Sequence, residues 1–189
     1  MANSFNKLFW GFLIVILDFR INTFDIIIDT VGYFIVVSAL SALSSHSKSF
    51  EKAKHIAIVL ALLSIPTIIE LGTTINLDQG FVPTSMLIGT LLYGTILGLL
   101  HLIVAYEIFS GMLDLSRQLN FEKLSKRVKN KSRFYIIISF ITLSLAPLVF
   151  NIGDSVGMYM VVGIGIASFI VELIFIFLIR EFRNLYRMA

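Results

Sequence analysis

An all-α integral membrane bundle is the fold class this sequence predicts, and three observations predict it. Hydrophobic residues fill 57% of the 189 positions and charged residues only 14%, against about 25% charged in ordinary soluble domains. The mean hydropathy is +0.91, which sets more apolar surface on the chain than a soluble core could hide. The apolar residues run on well past the roughly ten residues of a barrel strand and do not alternate with polar ones. The chain therefore reads as a single transmembrane domain, residues 1–189, with about six spans. That arrangement suits three tandem helical hairpins.

A bilayer core about 30 Å thick takes about 20 apolar residues in a helix. The spans are expected at residues 4–17, 25–45, 53–75, 84–115, 133–150 and 155–179. The first is the weakest, because fourteen residues at 1.5 Å each cover only ~21 Å. It must thin the bilayer locally or draw Asp18 and Arg20 into one leaflet. Fusing the first two runs into one helix, residues 8–43, would give a rod of ~54 Å. It would also put Lys7 and the Lys48, Lys52, Lys54 group on opposite faces, so the separate spans are preferred.

Orientation follows from the cations. Lys7 precedes the first span; Lys48, Lys52 and Lys54 lie between the second and third. Arg117, Lys123, Lys126, Arg127, Lys129, Lys131 and Arg133 lie between the fourth and fifth, and Arg180, Arg183 and Arg187 follow the sixth. With alternating spans all of these fall on one face, and Arg20 alone falls on the other. The positive-inside rule then puts both termini in the cytoplasm. The opposite turns repeat an Asn–Asp pattern: Asn22 and Asp25, Asn76 and Asp78, Asn151 and Asp154. Short oxygen side chains form turns and cap helix starts, and Asp25 and Asp154 are expected as the N-caps of the second and sixth spans. A cleaved signal peptide is not expected, since no small-residue cleavage site follows the first apolar run.

Several chemistries are excluded outright. There is no cysteine, so disulfides, thiolate metal sites and cysteine nucleophiles are ruled out. No P-loop, His-Glu-x-x-His or Gly-x-Ser-x-Gly pattern occurs. No cofactor is expected. The net charge of +3 is concentrated in the segments between spans, where it reads as a topology signal drawn to anionic lipid headgroups rather than to nucleic acid.

Two groups of polar residues stand out. Asp18, Asn22, Asp25 and Asp29 are spaced four, three and four, one face of a helix if the helix is continuous. Arg20 is out of phase and reaches them only if the chain turns there. The cluster reads either as a cation or proton entry site or partner-docking patch, or as an ion pair and cap that locks the first hairpin. The second group is Glu70, His101, Glu107 and Glu172, ionisable residues inside apolar spans. Such residues are costly in lipid and mark proton relays by default. The plainer alternatives are Glu107 reaching the interface, Glu172 pairing with Arg180 and His101 serving as an interhelical hydrogen-bonding residue. Gly94 with Gly98 and Gly153 with Gly157 have the spacing of close helix packing. They are expected to pack the bundle, with homo-oligomer contact as the lesser option.

The opening also carries a resemblance. Leu8-Phe9-Trp10-Gly11, Leu17-Asp18-Phe19-Arg20-Ile21-Asn22, Phe24-Asp25, Asp29 and Val31-Gly32-Tyr33 resemble the start of an uncharacterised family of multi-pass membrane proteins of Bacillus-type bacteria. Relatives of that look often have proline at the position of Ile28. The resemblance covers about the first third of the chain. It implies the plasma membrane of a Gram-positive cell and supplies no activity.

Three functions follow as expectations, of which an intramembrane enzyme is the least favoured because no catalytic motif supports it. The first is an accessory, regulatory or immunity-type interaction protein without catalytic activity, acting on a membrane-protein partner or on itself. The alternative is a small proton-coupled transporter or channel that uses the intramembrane acids. The second requires Asp29, Glu70, His101, Glu107 and Glu172 to share one polar path.

Overall fold

Long apolar runs free of internal proline wind into helices, because only a helix satisfies every backbone N–H and C=O within one segment. The computed structural model describes residues 1–17, 27–65, 85–152 and 154–188. Its helices are α1 (Ala2–Ile16), α2 (Ile27–Leu43), α3 (Lys48–Leu63), α4 (Ser85–Gln118), α5 (Glu122–Leu145) and α6 (Asp154–Met188), with a 3-10 turn at Ala146–Asn151 between the last two. No strand occurs among the described residues.

The helix ends have local causes. Ser47 caps α3, its hydroxyl accepting from Ser49 N–H at 3.2 Å while donating to Asp114 Oδ2 at 2.6 Å. One side chain thus starts α3 and ties it to α4. At the far end of α4, Asn120 adopts φ 57°. Phe121 N–H reaches back to Ser116 O at 2.9 Å and Asn120 N–H to Arg117 O at 3.0 Å, the paired bonds of a Schellman stop. Pro147 has no N–H and cannot continue the α-helical ladder, and α5 passes there into the 3-10 turn. The described part of α3 stops at Leu63 with Ser64 as its C-cap, just before Pro66, as steric restriction ahead of proline favours.

Three of the expected bounds need correction. The basic segment between the fourth and fifth apolar runs is not a loop: α5 begins at Glu122, and Lys123 to Arg133 ride on its first half. Lys and Arg are good helix formers, so nothing stops the helix where the charge begins. Likewise α6 continues through Arg180, Arg183 and Arg187 to Met188. The third run, expected to span residues 53–75, is helical from Lys48 to Leu63, and residues 66–75 lie outside the described residues.

Each helix packs on the next, and α1 packs on α6, so the six form a closed ring. Successive helices run in opposite directions. Lys7 near the start of α1 donates to Ser38 near the end of α2 at 3.2 Å. Gln118 at the end of α4 donates to His46 O at 3.5 Å, Arg127 near the start of α5 pairs with Glu181 near the end of α6, and Arg183 of α6 donates to Asn6 of α1 at 3.0 Å. One end of the bundle therefore gathers both termini. Every lysine and arginine of the described helices lies in the half of its helix nearer that end.

The core also sits toward the termini. Phe5, Phe12, Phe50, Phe109, Tyr135, Phe175 and Phe182 are fully buried, with Phe5 stacked on Tyr186 at 5.8 Å. In the opposite half α4, α5 and α6 expose Leu92, Ile96, Ile137, Phe140, Val161, Val162 and Ile166. Among the described residues, three segments are long and apolar enough to cross a membrane: Leu91–Gln118, Glu122–Val149 and Val156–Arg187. By contrast α1 and α2, with 15 and 17 residues, reach only ~22 and ~26 Å.

The backbones of α1 and α2 approach closely at two glycines. A Cβ on Gly32 would stand 2.9 Å from Gly11 O and 2.6 Å from Val15 Cγ2, and one on Gly11 would stand 3.0 Å from Gly32 O. The expected glycine pairs behave differently. A Cβ on Gly94 would meet nothing within 4 Å, and one on Gly98 would meet only the Leu143 side chain. One on Gly157 would contact Ile152 O and Val149 O, in the adjoining turn, and Gly153 lies outside the described residues.

Candidate functional site

The inward stripes of four helices are aliphatic or aromatic along most of their length and polar at one level. On α2 the buried stripe is Tyr33, Val36, Leu40 and Leu43; on α4 His101 heads Val104, Ala105, Ile108 and Met112; on α6 Glu172 precedes Phe175, Ile176 and Ile179. Tyr135 continues the stripe of Leu124 and Val128 on α5. The three-to-four-residue spacing puts each polar side chain in the core because its neighbours along the stripe are there.

At this level the four side chains form one network. Glu172 Oε1 lies 3.0 Å from His101 Nε2 and accepts from the Tyr135 hydroxyl. His101 Nδ1 lies 2.8 Å from the Tyr33 hydroxyl. A neutral imidazole fits by donating from Nε2 to Glu172 and accepting from Tyr33 at Nδ1. An imidazolium fits by donating from both nitrogens, since the Tyr33 oxygen can accept. The arrangement thus accommodates one or two protons on the His101 ring without moving a heavy atom. Asp29 stands one turn along α2 from Tyr33, ~6 Å, and acts electrostatically on both Tyr33 and His101.

The second carboxylate oxygen is less well served. Glu172 Oε2 is buried without a hydrogen-bond partner among the described residues. Leaving a buried acceptor unmet costs about 1–3 kcal/mol, more for a charged one. Glu172 also lines a cleft of about 220 Å³ between α4, α5 and α6, with Gly98, His101, Ser139, Thr142 and Ser168 among the lining residues. On the termini side of the network the rings close up. Phe175 lies 4.9 Å from both Phe12 and Phe109, and Phe12 lies edge-on to His101 at 5.8 Å.

Of the expected relay, His101 and Glu172 meet. Glu107 lies six residues beyond His101 on another face of α4, partly exposed, and takes no part in the network. Glu70 lies outside the described residues, as do Asp18, Arg20, Asn22 and Asp25 of the first cluster; Asp29 is its described member. The alternative pairing of Glu172 with Arg180 does not occur. Among the described residues, a carboxylate that does meet cations is Glu181, bonded to Arg127 and 3.9 Å from Lys131. Tyr33 and Tyr135 were not legible as partners, because a tyrosine in an apolar helix reads equally well as core. The signal for Tyr135 is its place at the foot of a hydroxyl series, Tyr135, Ser139 and Thr142, spaced four and three. Among the described residues no three His, Asp or Glu side chains converge to hold a metal ion.

No family model, characterised protein or solved structure matches this chain. The chemistry of the network is therefore the guide to what the molecule does.

Proposed function

We propose that this chain is a multi-pass protein of the cell membrane, with about six crossings and both termini in the cytoplasm, and that it works as a small proton-linked carrier or channel rather than as an enzyme. The observation that carries this reading is the His101–Glu172 pair, bonded at 3.0 Å on the floor of a cleft midway along three long apolar helices; it rests on this shorter path and not on the five-residue one expected, since Glu107 stands apart from the network and Glu70 lies outside the described residues. An ionisable pair inside lipid is costly and marks ion or proton handling by default. The gathering of cations at the termini end supports the orientation, with anionic headgroups as their partners and no nucleic acid involved. The Gram-positive membrane is what the resemblance of the opening residues implies.

Proton flux into liposomes containing the purified protein and a trapped pH dye tests the function. Glu172→Gln and His101→Asn, each eluting as the parent does on size exclusion, are expected to abolish an imposed-gradient flux. Full flux in both would retire the proposal. Orientation is tested separately: a cysteine at Ser125 should resist an impermeant thiol reagent in intact cells while one at Ser155 reacts.

One observation favours the second reading, an accessory, regulatory or immunity-type interaction protein. The layer of Phe12, Phe109 and Phe175 blocks the route from His101 toward the termini, so the network can serve simply to lock four helices together. Absence of flux in a parent protein that retains its fold selects this reading.

A further inference from the structure

The cleft has a direction that the carrier reading alone does not assign. Along α5, Tyr135, Ser139 and Thr142 fall on one face, climbing away from Glu172. Ser168 stands one turn beyond Glu172 on α6, and Gly98 lines the α4 wall, with the Leu143 side chain packed into the space its missing Cβ leaves. All of these lie on the side of the network away from the termini, since α4 and α6 enter from that end and α5 leaves toward it. On the other side stand Phe12, Phe109 and Phe175.

We propose that the cleft between α4, α5 and α6 is a one-sided aqueous path that delivers hydronium from the end opposite the termini to Glu172, with the aromatic layer shutting the path from the termini side. The proposal rests on the carrier reading and gives it a substrate class and a side. The volume of about 220 Å³ is several times the ~30 Å³ that a water molecule occupies in the liquid. The hydroxyls of Ser139, Thr142 and Ser168 offer the partners such waters need. Thr142 spends its proton on Ser139 O at 3.0 Å, so its oxygen faces the cleft as an acceptor. The free lone pairs of Glu172 Oε2 are the terminus of the path. There an O–H bond of hydronium breaks, an O–H bond to Oε2 forms, and neutral water is left. Among the described residues, the titratable groups facing Glu172 are His101 from α4, Tyr135 from α5 and, through His101, Tyr33 and Asp29 from α2. The element packed from α1 presents Phe12, which carries no charge.

The test uses the natural absence of cysteine. Single cysteines at Ser168, Thr142 and, beneath the aromatic layer, Met112 are placed in the full chain and reconstituted. A charged methanethiosulfonate is then added to one side at a time. Ser168→Cys and Thr142→Cys are expected to lose their free thiol from the side opposite the termini and keep it from the termini side, and Met112→Cys is expected to keep it throughout. Reaction only with a membrane-partitioning maleimide means a lipid-filled cleft and overturns the proposal, as does equal reaction from both sides. The outcomes separate from those of the carrier reading. Proton flux with unreactive cysteines removes the path and leaves the carrier. One-sided reaction without flux leaves the aqueous path and removes the carrier.

Discussion

Replacing Gly32 by alanine adds a single methyl group at the crossing of α1 and α2. That carbon would sit 2.6 Å from Val15 Cγ2 and 2.9 Å from Gly11 O, where unstrained contacts between carbon atoms need about 3.5–4.0 Å. The valine methyl can rotate away. The Gly11 carbonyl cannot, because it belongs to the α1 hydrogen-bond ladder, so the two helices must part by roughly half an ångström or more. Overpacking of this kind costs about 1–3 kcal/mol, a fall in melting temperature of roughly 2–12 °C for a chain of this size. The same change at Gly94 meets nothing within 4 Å and trades glycine for the better helix former, worth up to ~1 kcal/mol in water. Thermal unfolding in one detergent, followed by circular dichroism, ranks the pair. Gly32→Ala should melt well below the parent and Gly94→Ala at or slightly above it. Equal melting of the two variants would refute the claim that backbone contact at Gly11 and Gly32 sets how α1 joins the ring.

Three further outcomes follow from the same geometry. Tyr135→Phe keeps the ring against Phe109 and Phe175 and deletes a hydrogen bond to a carboxylate, so it should cost about 1.5–3 kcal/mol; Tyr33→Phe, losing a bond to imidazole, should cost about 0.5–1.5 kcal/mol, and reversed order in melting would contradict the assignment. Asn120→Ala should destabilise by about 1–2 kcal/mol because alanine resists φ 57°, whereas Asn120→Gly should be neutral in the same melt. Arg127→Ala should change stability by less than about 1 kcal/mol, since its pair with Glu181 is exposed to 54% and 28%, and 0.5 M salt should erase what difference there is.

The helical architecture was legible because the length of an apolar run is a one-dimensional property. The gathering of cations was legible for the same reason, since alternating helices carry every second break to one end. What three dimensions decide was not. The spacing of Gly94 and Gly98 announces a small-residue face but not a neighbour, and α4 meets only a leucine side chain there. Gly11 and Gly32 lie in different runs with no shared spacing, so their contact has no signature in the chain. His101 and Glu172 stood out as ionisable residues in apolar runs, but the tyrosines that complete the network are chemically at home in any apolar helix. The start of α5 was misplaced because charge was read as the end of a helix, although a membrane limits the apolar stretch and not the helix that carries it.

The contact between α1 and α6 joins groups as distant in order as Asn6 and Arg183, 177 positions apart. α1 thus acquires its second neighbour from α6, the most remote of the described helices in chain order. Until α6 arrives, Phe5 and Phe12 lack the rings of Phe182, Tyr186 and Phe175 that cover them in the finished molecule. Closure that depends on such remote pairing carries a large loop entropy and is slow. A chain halted before α6 would display that bare aromatic edge, which the closed ring hides.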